Sequence, residues 1–374
     1  MKFIIPGNVL LGYLQTVGKV IATKNIIPIL DCFLFQLSDN QLTITGADAE
    51  TRITTTSEVL NAEGEGKFAI PSKNLLDALR ELPDQPITFV INETNNEVLI
   101  YYENGKYSFI AQNGDEYPTS KPLQIEVHEL IIKTKDLLNG ISSTLFASAH
   151  DELRPVMNSI FFDMDPERVI FVASDGHKLV RLKNSRLSGN KSSSFILPRK
   201  PANLLRTILL REEGETVINF DLNYIHIILP HFTLISRLIE GHYPNYNAVI
   251  PNESPYRIIV DRLNFLNALK RVTLFSNPGN SLIKLQILAN KIFITAQDID
   301  YSIAAEELVL CNYEGNEITI GFKGTYLIEM LNNISSNEII FELADVTRAG
   351  LILPKENKEN EDLLMLLMPM MLKE

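Results

Sequence analysis

Three copies of one unit follow each other along this chain, and that recurrence limits the fold more than any other property of the sequence. Phe3-Ile4-Ile5, Leu130-Ile131-Ile132 and Ile258-Ile259-Val260 each read as a short strand. Seven residues after the first position of each come paired apolar residues, Leu10-Leu11, Leu137-Leu138 and Phe265-Leu266, and then Leu14, Ile141 and Leu269. The spacing is that of an amphipathic helix. Each copy goes on into a strand that ends on aspartate, at Asp48, Asp175 and Asp298.

The second half of each copy repeats the motif. Phe68-Ala-Ile-Pro precedes Leu75, Leu76 and Leu79; Phe195-Ile-Leu-Pro precedes Leu204, Leu205 and Ile208; Ile318-Thr-Ile-Gly precedes Leu327, Ile328 and Leu331. Tyr117-Pro118, Tyr243-Pro244 and Met368-Pro369 close the copies. The pattern predicts an α+β chain of three repeated domains, 1–126, 127–252 and 253–374, each with two helices packed on antiparallel sheets. The second boundary falls in the polar linker Pro251-Asn-Glu-Ser-Pro255. The charged run Lys355–Asp362 reads as a solvated hairpin loop.

The sequence is poor in reaction chemistry. It has no phosphate-binding Gly-x-x-x-x-Gly-Lys, no His-Glu-x-x-His, no Cys-x-x-Cys and no Gly-x-Ser-x-Gly, and its 6 histidines lack metal-ligand spacing. Neither a metal nor a cofactor is expected. The string Ser174-Asp175-Gly176-His177 sets a carboxylate beside an imidazole, which acid–base catalysis can use. An Asp-Gly turn between two strands explains it better, because aspartate recurs at the matching place in all three copies. A non-enzymatic protein is the expectation. Cys32 and Cys311 suit a pair of buried thiols in a reducing compartment. No apolar run reaches a membrane span, and Phe-Ile-Ile-Pro after Lys2 is too short for a signal peptide, so a cytoplasmic protein is expected.

Charge follows the helices. The formal net charge is −12, yet no predicted helix segment is negative. Ile196–Arg211 carries Arg199, Lys200, Arg206 and Arg211 without an acid, and Tyr256–Arg271 sets Arg257, Arg262, Lys270 and Arg271 against Asp261 alone. Asn8–Lys24 has Lys19 and Lys24 and no acid. Six helices turned to one cavity would line it with positive charge inside an acidic shell, suited to sequence-independent binding of duplex phosphates. Solvent faces populated by Lys and Arg are the plainer alternative.

In order and spacing, the Met-Lys-Phe opening, Pro28-Ile29-Leu30, Asp175-Gly176-His177-Lys178-Leu179, Pro198-Arg199-Lys200, Gly241-His-Tyr-Pro-Asn-Tyr246 and Met368-Pro369-Met370 resemble the bacterial DNA sliding clamp family, the beta subunit of DNA polymerase III. The resemblance spans the whole chain. It implies the DNA-clamp fold and a head-to-tail homodimer, two three-domain halves closing a ring around double-stranded DNA. It implies a processivity factor that tethers the replicative DNA polymerase, is opened by a clamp loader, and serves other polymerases and repair proteins carrying a short clamp-binding peptide. By matching position, Lys24, Lys73, Arg80, Arg199, Lys200 and Arg206 face DNA. The peptide pocket takes Met157, Ser174, Gly176, His177, Lys178, Leu179, Pro244, Ala248, Val249, Ala349 and the terminal Leu366, Leu367, Met368, Pro369, Met370, Met371 and Leu372. The dimer junction takes Tyr107, Leu274 and Phe275, with Lys106 opposite Glu306 and Glu307. Two departures stand out. Asp151 and Pro155-Val156 flank Arg154 where relatives have a glutamine and two tyrosines, and Met371 stands where arginine is common. A repeat scaffold that binds proteins without enclosing DNA is the rival.

Overall fold

A computed structural model describes residues 1–124 and 126–372. Among these residues there are six α-helices: α1 (Gly7–Val17), α2 (Ser72–Arg80), α3 (Thr134–Thr144), α4 (Arg199–Leu209), α5 (Arg262–Thr273) and α6 (Gly324–Asn332). They are the six that the repeat predicts, and the apolar stripes are the buried ones: Leu10 and Leu14 on α1, Leu204, Leu205, Ile208 and Leu209 on α4, Phe265, Leu266 and Leu269 on α5. The predicted segments run too long at their ends. α1 stops at Val17, so Lys24 lies in a loop, and Arg257 stands on the strand Tyr256–Asp261.

Contacts divide the chain into two compact units, Met1–Leu138 with Asn203–Leu238, and Asn139–Ala202 with Ile239–Glu374. The division falls inside the central repeat because its strands pair outward with those of its neighbours.

In the first unit one sheet runs Leu60–Glu63, Lys2–Pro6, Pro86–Asn92, Glu97–Tyr102, Gly105–Ile110. A nine-stranded sheet runs Gln112–Asn113, Gly66–Pro71, Cys32–Ser38, Gln41–Ala47, Thr51–Glu58, Thr233–Arg237, Tyr224–Ile228, Glu215–Phe220, His128–Lys133. Phe3 and Phe89 stack at 4.8 Å, Phe35 and Phe68 at 5.2 Å, so each sheet supplies half of an aromatic core. α1 lies against α2 and the strands Gln41–Ala47 and Thr51–Glu58.

The second unit holds a twelve-stranded sheet: Ser193–Pro198, Ser159–Asp165, Arg168–Ser174, Lys178–Asn184, Glu361–Leu367, Gly350–Pro354, Glu338–Leu343, Tyr256–Asp261, Ile303–Asn312, Lys291–Asp298, Leu282–Leu288, Ile318–Lys323. Two ladders in the molecule correspond through the repeat. Arg52 pairs with Ile235 in the first unit, and Leu179 pairs with Leu366 in the second. Each joins strands from different sequence copies into one sheet. The charged run forms a hairpin loop as predicted, and Arg181 and Arg186 hold its acids Asp362 and Glu359 at 3.1 and 2.7 Å.

Two glycines on equivalent helices separate backbone freedom from packing. A Cβ on Gly140 of α3 would lie 2.4 Å from the ring of Phe171, which is fully buried. Gly140→Ala is expected to lower stability by about 1–2 kcal/mol, because an overpacked core outweighs the helix propensity gained. Gly12 of α1 has no atom within 4 Å of its Cβ position, and Gly12→Ala is expected to raise stability by about 0.5–1 kcal/mol. Thermal melts of the two variants check both signs.

Cys32 is buried, but Cys311 is only half-buried, on the strand Ile303–Asn312, and both are free thiols. Burial pushes each thiol up to about 11. A raised thiol pKa leaves less thiolate at pH 8, so alkylation of the native protein is expected to be slow and to speed up sharply in denaturant, as mass spectrometry reads directly.

Candidate functional site

The Asp175 turn is built by its own backbone. The Asp175 carboxylate accepts the N–H groups of His177 and Lys178 at 2.8 Å, and the Ser174 hydroxyl donates to the Lys178 carbonyl at 2.8 Å. Gly176 takes φ +90°, which favours glycine. Asp48 accepts from Glu50 and Thr51 at 2.8 and 2.7 Å, and Asp298 from Asp300 at 3.0 Å. The recurring aspartates are turn acceptors. Among the described residues no group of His, Cys, Asp and Glu could hold a metal ion.

This turn forms one rim of an apolar cavity of about 130 Å³. Met157, Ser174, Gly176, His177, Lys178, Leu179, Pro244, Val249, Leu366 and Met368, all from the set expected to form the peptide pocket, line it. Tyr243, Asn245 and Tyr246 line it too and were not among the residues assigned to it from the sequence. The Gly241–Tyr246 motif was their signal. The Tyr243 ring stacks on Phe161 at 4.7 Å, and the Tyr246 hydroxyl donates to Asp163 at 3.1 Å. Burial, reinforced by the Asp163 carboxylate, pushes the Tyr246 phenol up to about 12.

Beneath the cavity Ile170, Val172, Leu179, Ala349, Leu351, Leu364 and Leu366 form one buried cluster. Strand alternation decides which residues of the terminal run take part. Leu364 and Leu366 face this cluster, while Met365 and Leu367 face the opposite core with Phe322 and Phe341. Leu367 is therefore a core residue, and Ala349 supports the floor without lining the cavity. Ala248 is exposed on a short turn and does not line it either. Past the strand, the Met368 N–H donates to the His177 carbonyl and the Met370 N–H to the Gly321 carbonyl, both at 2.8 Å. This anchoring carries Pro369, Met370 and Leu372 away from the cavity, and Met371 is 94% exposed.

Lys178 is 5% exposed. Its ammonium pairs with Glu329, stands 4.0 Å from Asp175 and lies 4.4 Å from the centre of the Tyr326 ring. The charge is satisfied behind the cavity wall, and the aliphatic stem is what the cavity sees. At the mouth, Arg154 Nη1 lies 3.9 Å from the Cβ position of Gly176, and Asp151 holds Arg154 at 3.0 Å. Backbone donation from Leu153, then Arg154, lowers the Asp151 carboxyl below its ordinary range.

The expected DNA-facing residues separate into groups. Lys73 and Arg80 are exposed on α2, Lys200 and Arg206 on α4, and Lys24 in its loop. Arg80 also pairs with Asp77 at 3.1 Å. Arg199 departs from the expectation. Its guanidinium donates to the Leu145 and Ser148 carbonyls at 3.2 and 3.0 Å and to the Ser148 hydroxyl, and it meets His150 at 3.2 Å. It ties the start of α4 to the segment after α3.

Of the expected junction residues, Lys106, Tyr107, Glu306 and Glu307 lie on strands with an open edge, and Leu274 and Phe275 follow α5. Lys106 and Tyr107 stand on Gly105–Ile110, the terminal strand of its sheet. Ile303–Asn312 pairs along one side, but only Cys311 and Asn312 pair on the other. Leu308 and Leu310 on that strand, with Leu274 and Phe275 after α5, are exposed. Glu307 does not await Lys106: Arg271 binds it through two hydrogen bonds of 2.6 Å, which hold its carboxyl below the ordinary range. Glu306 alone stays exposed for an opposite charge.

Comparison with known proteins bears on these sites. Residues 1–121 match the sequence model of the DNA polymerase III beta subunit N-terminal domain, 131–245 its central domain and 247–371 its C-terminal domain. The beta sliding clamp of Haemophilus influenzae is 30% identical over 100% of both chains. A crystal structure of the Pseudomonas aeruginosa sliding clamp bound to griselimycin is similar at TM-score 0.93 and 26% identity, and that of the Bacillus subtilis DNA polymerase sliding clamp at 0.93 and 25%, each covering 100% of both chains. With all three domains present in order on one chain, this protein belongs to the family of the bacterial DNA polymerase III beta subunit, the sliding clamp.

Proposed function

We propose that this protein is a DNA polymerase processivity factor: two copies close head to tail into a ring around duplex DNA, and the ring slides while holding the polymerase to its template. The observation that carries the reading is the uninterrupted series of three family domains along the chain. In this reading the chain divides into domains of residues 1–126, 127–252 and 253–374, the bounds that the sequence repeat suggests. Enclosure replaces tight binding, so exposed cations at Lys24, Lys73, Arg80, Lys200 and Arg206 need only balance backbone phosphates without reading bases. Tethering raises the local concentration of the polymerase at the primer end.

The apolar cavity receives side chains of a short peptide carried by the polymerase, the clamp loader and other DNA-processing proteins. Its volume of about 130 Å³ is small beside the roughly 300–1,000 Å³ of small-molecule sites, and suits one or two anchoring side chains. The griselimycin complex of the Pseudomonas aeruginosa relative supports a ligand site on this fold. No catalytic step is assigned, since Asp175 serves its turn. Action on chromosomal DNA places the protein in the bacterial cytoplasm; no helix among the described residues is long and apolar enough to cross a membrane.

Two measurements in sequence test this. Mass in solution is expected to be that of two chains. Protein loaded on a nicked circular plasmid is then expected to co-elute with it and to be released when the circle is cut. Release that ignores cutting, or a monomeric mass at micromolar concentration, would leave only the scaffold reading.

A further inference from the structure

One carboxylate shapes the rim of the apolar cavity, and two claims fall on it. Asp175 Oδ1 accepts the backbone N–H groups of His177 and Lys178 at 2.8 Å, while Asp175 Oδ2 lies 4.0 Å from the Lys178 ammonium. A closer approach of that ammonium would draw the carboxylate off the turn it orders, because two full charges attract more strongly than a charge and an amide dipole. Strand alternation sets the Lys178 side chain on the side of the sheet that Val180 takes, away from the floor residue Leu179. There it is 5% exposed and lies 5.7 Å from the centre of the Phe146 ring and 4.4 Å from that of Tyr326. A charge so placed needs a partner in the protein.

Two groups of α6 settle the competition. The Glu329 carboxylate accepts the Lys178 ammonium directly, and the Tyr326 hydroxyl donates to Asp175. Burial, then the charge and hydrogen bond of Asp175, push the Tyr326 phenol up. No residue of α6 is among those that line the cavity. We propose that Glu329 is a positioning residue of the peptide site: by holding the Lys178 ammonium it leaves Asp175 to its turn, so that α6 fixes the rim from behind. The proposal rests on the reading of the cavity as the peptide site, and it adds a residue that the family resemblance does not assign to that site.

Two measurements on the full chain test it. Hydrogen exchange of the His177 and Lys178 amides reports the turn. Anisotropy of a fluorescein-labelled synthetic hexapeptide ending in Leu-Phe reports the site. In Glu329→Gln the ammonium turns to Asp175, and amide protection and peptide affinity are each expected to fall about tenfold. In Lys178→Met/Glu329→Gln no ammonium competes, and both are expected to return to within about twofold of the wild type. A residue that merely held the fold would not be rescued by the loss of a second partner. Unchanged melting temperature and mass show that fold and dimer persist. If Glu329→Gln does not fold, Tyr326→Phe carries the test: it removes only the hydroxyl that Asp175 accepts, and a loss of about threefold in both readings is expected. Wild-type readings in whichever variant carries the test overturn the proposal, as does a loss in Glu329→Gln that the double variant keeps. Lost protection with unchanged peptide affinity overturns it too, since the turn then plays no part in recognition. All three outcomes leave the cavity as the peptide site. Full peptide binding by Val249→Asp/Met368→Asp overturns that reading, and the proposal with it.

Discussion

The double substitution Leu274→Asp/Leu308→Asp is expected to halve the mass of the protein in solution and to abolish its retention on nicked circular DNA, with little change in the fold of the single chain. Leu274 is 77% exposed and Leu308 49%, so neither supports the core of its own chain. Leu308 lies on the strand Ile303–Asn312, whose open edge leaves backbone groups ready to continue a sheet, and Leu274 caps α5, which packs on that strand. In a ring closed through that edge, each leucine loses its contact with water. Removing such a side chain costs the interface ~1.5–3 kcal/mol, and an unpaired carboxylate in its place costs more. A shift of 3 kcal/mol per site is roughly a hundredfold in Kd, and the two-fold relation of the ring applies every substitution at both junctions. Analytical ultracentrifugation reads the result. A dimer that survives both aspartates places the junction elsewhere and removes the edge strand from the account. Glu306→Lys makes a useful contrast: it reverses the one carboxylate left exposed for Lys106, and as an exposed pair it is expected to shift the equilibrium by less than ~1 kcal/mol.

What could be read in the sequence follows the range of the interactions. The stripes Leu10/Leu14 and Leu137/Ile141 recur at a fixed offset because a helix is decided by residues three and four apart, and all of these residues are buried. The aspartate turns were legible for the same reason: the acceptor of the His177 N–H lies two residues away. The ladder between Leu179 and Leu366 was not, because its strands are far apart in sequence and nothing local fixes the register. Charge was the least legible property. Arg199 and Lys200 look alike in sequence, yet Arg199 sits where three acceptors converge and is held by them. Glu306 and Glu307 differ likewise, since alternation on the strand turns only Glu307 to Arg271. Tyr243 and Tyr246 were visible as a motif, but their place at the cavity depends on stacking with Phe161 and bonding to Asp163, which no local pattern encodes.

The cavity can be closed to partners without touching the ring, and this separates the two halves of the proposed mechanism. Val249 and Met368 stand on its rim, 53% and 41% exposed, so the folded chain tolerates polar atoms at both. Leu179 and Leu366, at 4% and 2%, do not offer that choice: a charge there unsettles the ladder itself. Val249→Asp/Met368→Asp places two carboxylates where an incoming apolar side chain must give up water. Lys178 cannot rescue them, because its ammonium is already bound to Glu329 behind the wall. Each carboxylate that must be desolvated or displaced costs ~1–3 kcal/mol, and together they are expected to weaken a clamp-binding peptide by roughly a hundredfold or more. Calorimetry with such a peptide reads the loss directly. Mass and melting temperature are expected to stay at wild-type values, and protein already on a nicked circle is expected to remain there while no longer stimulating the polymerase. Full peptide binding by this variant moves the partner site away from the cavity. Loss of the dimer as well means that the rim residues hold the fold, and the conservative pair Val249→Thr/Met368→Gln, which adds polarity without charge, then decides between the two.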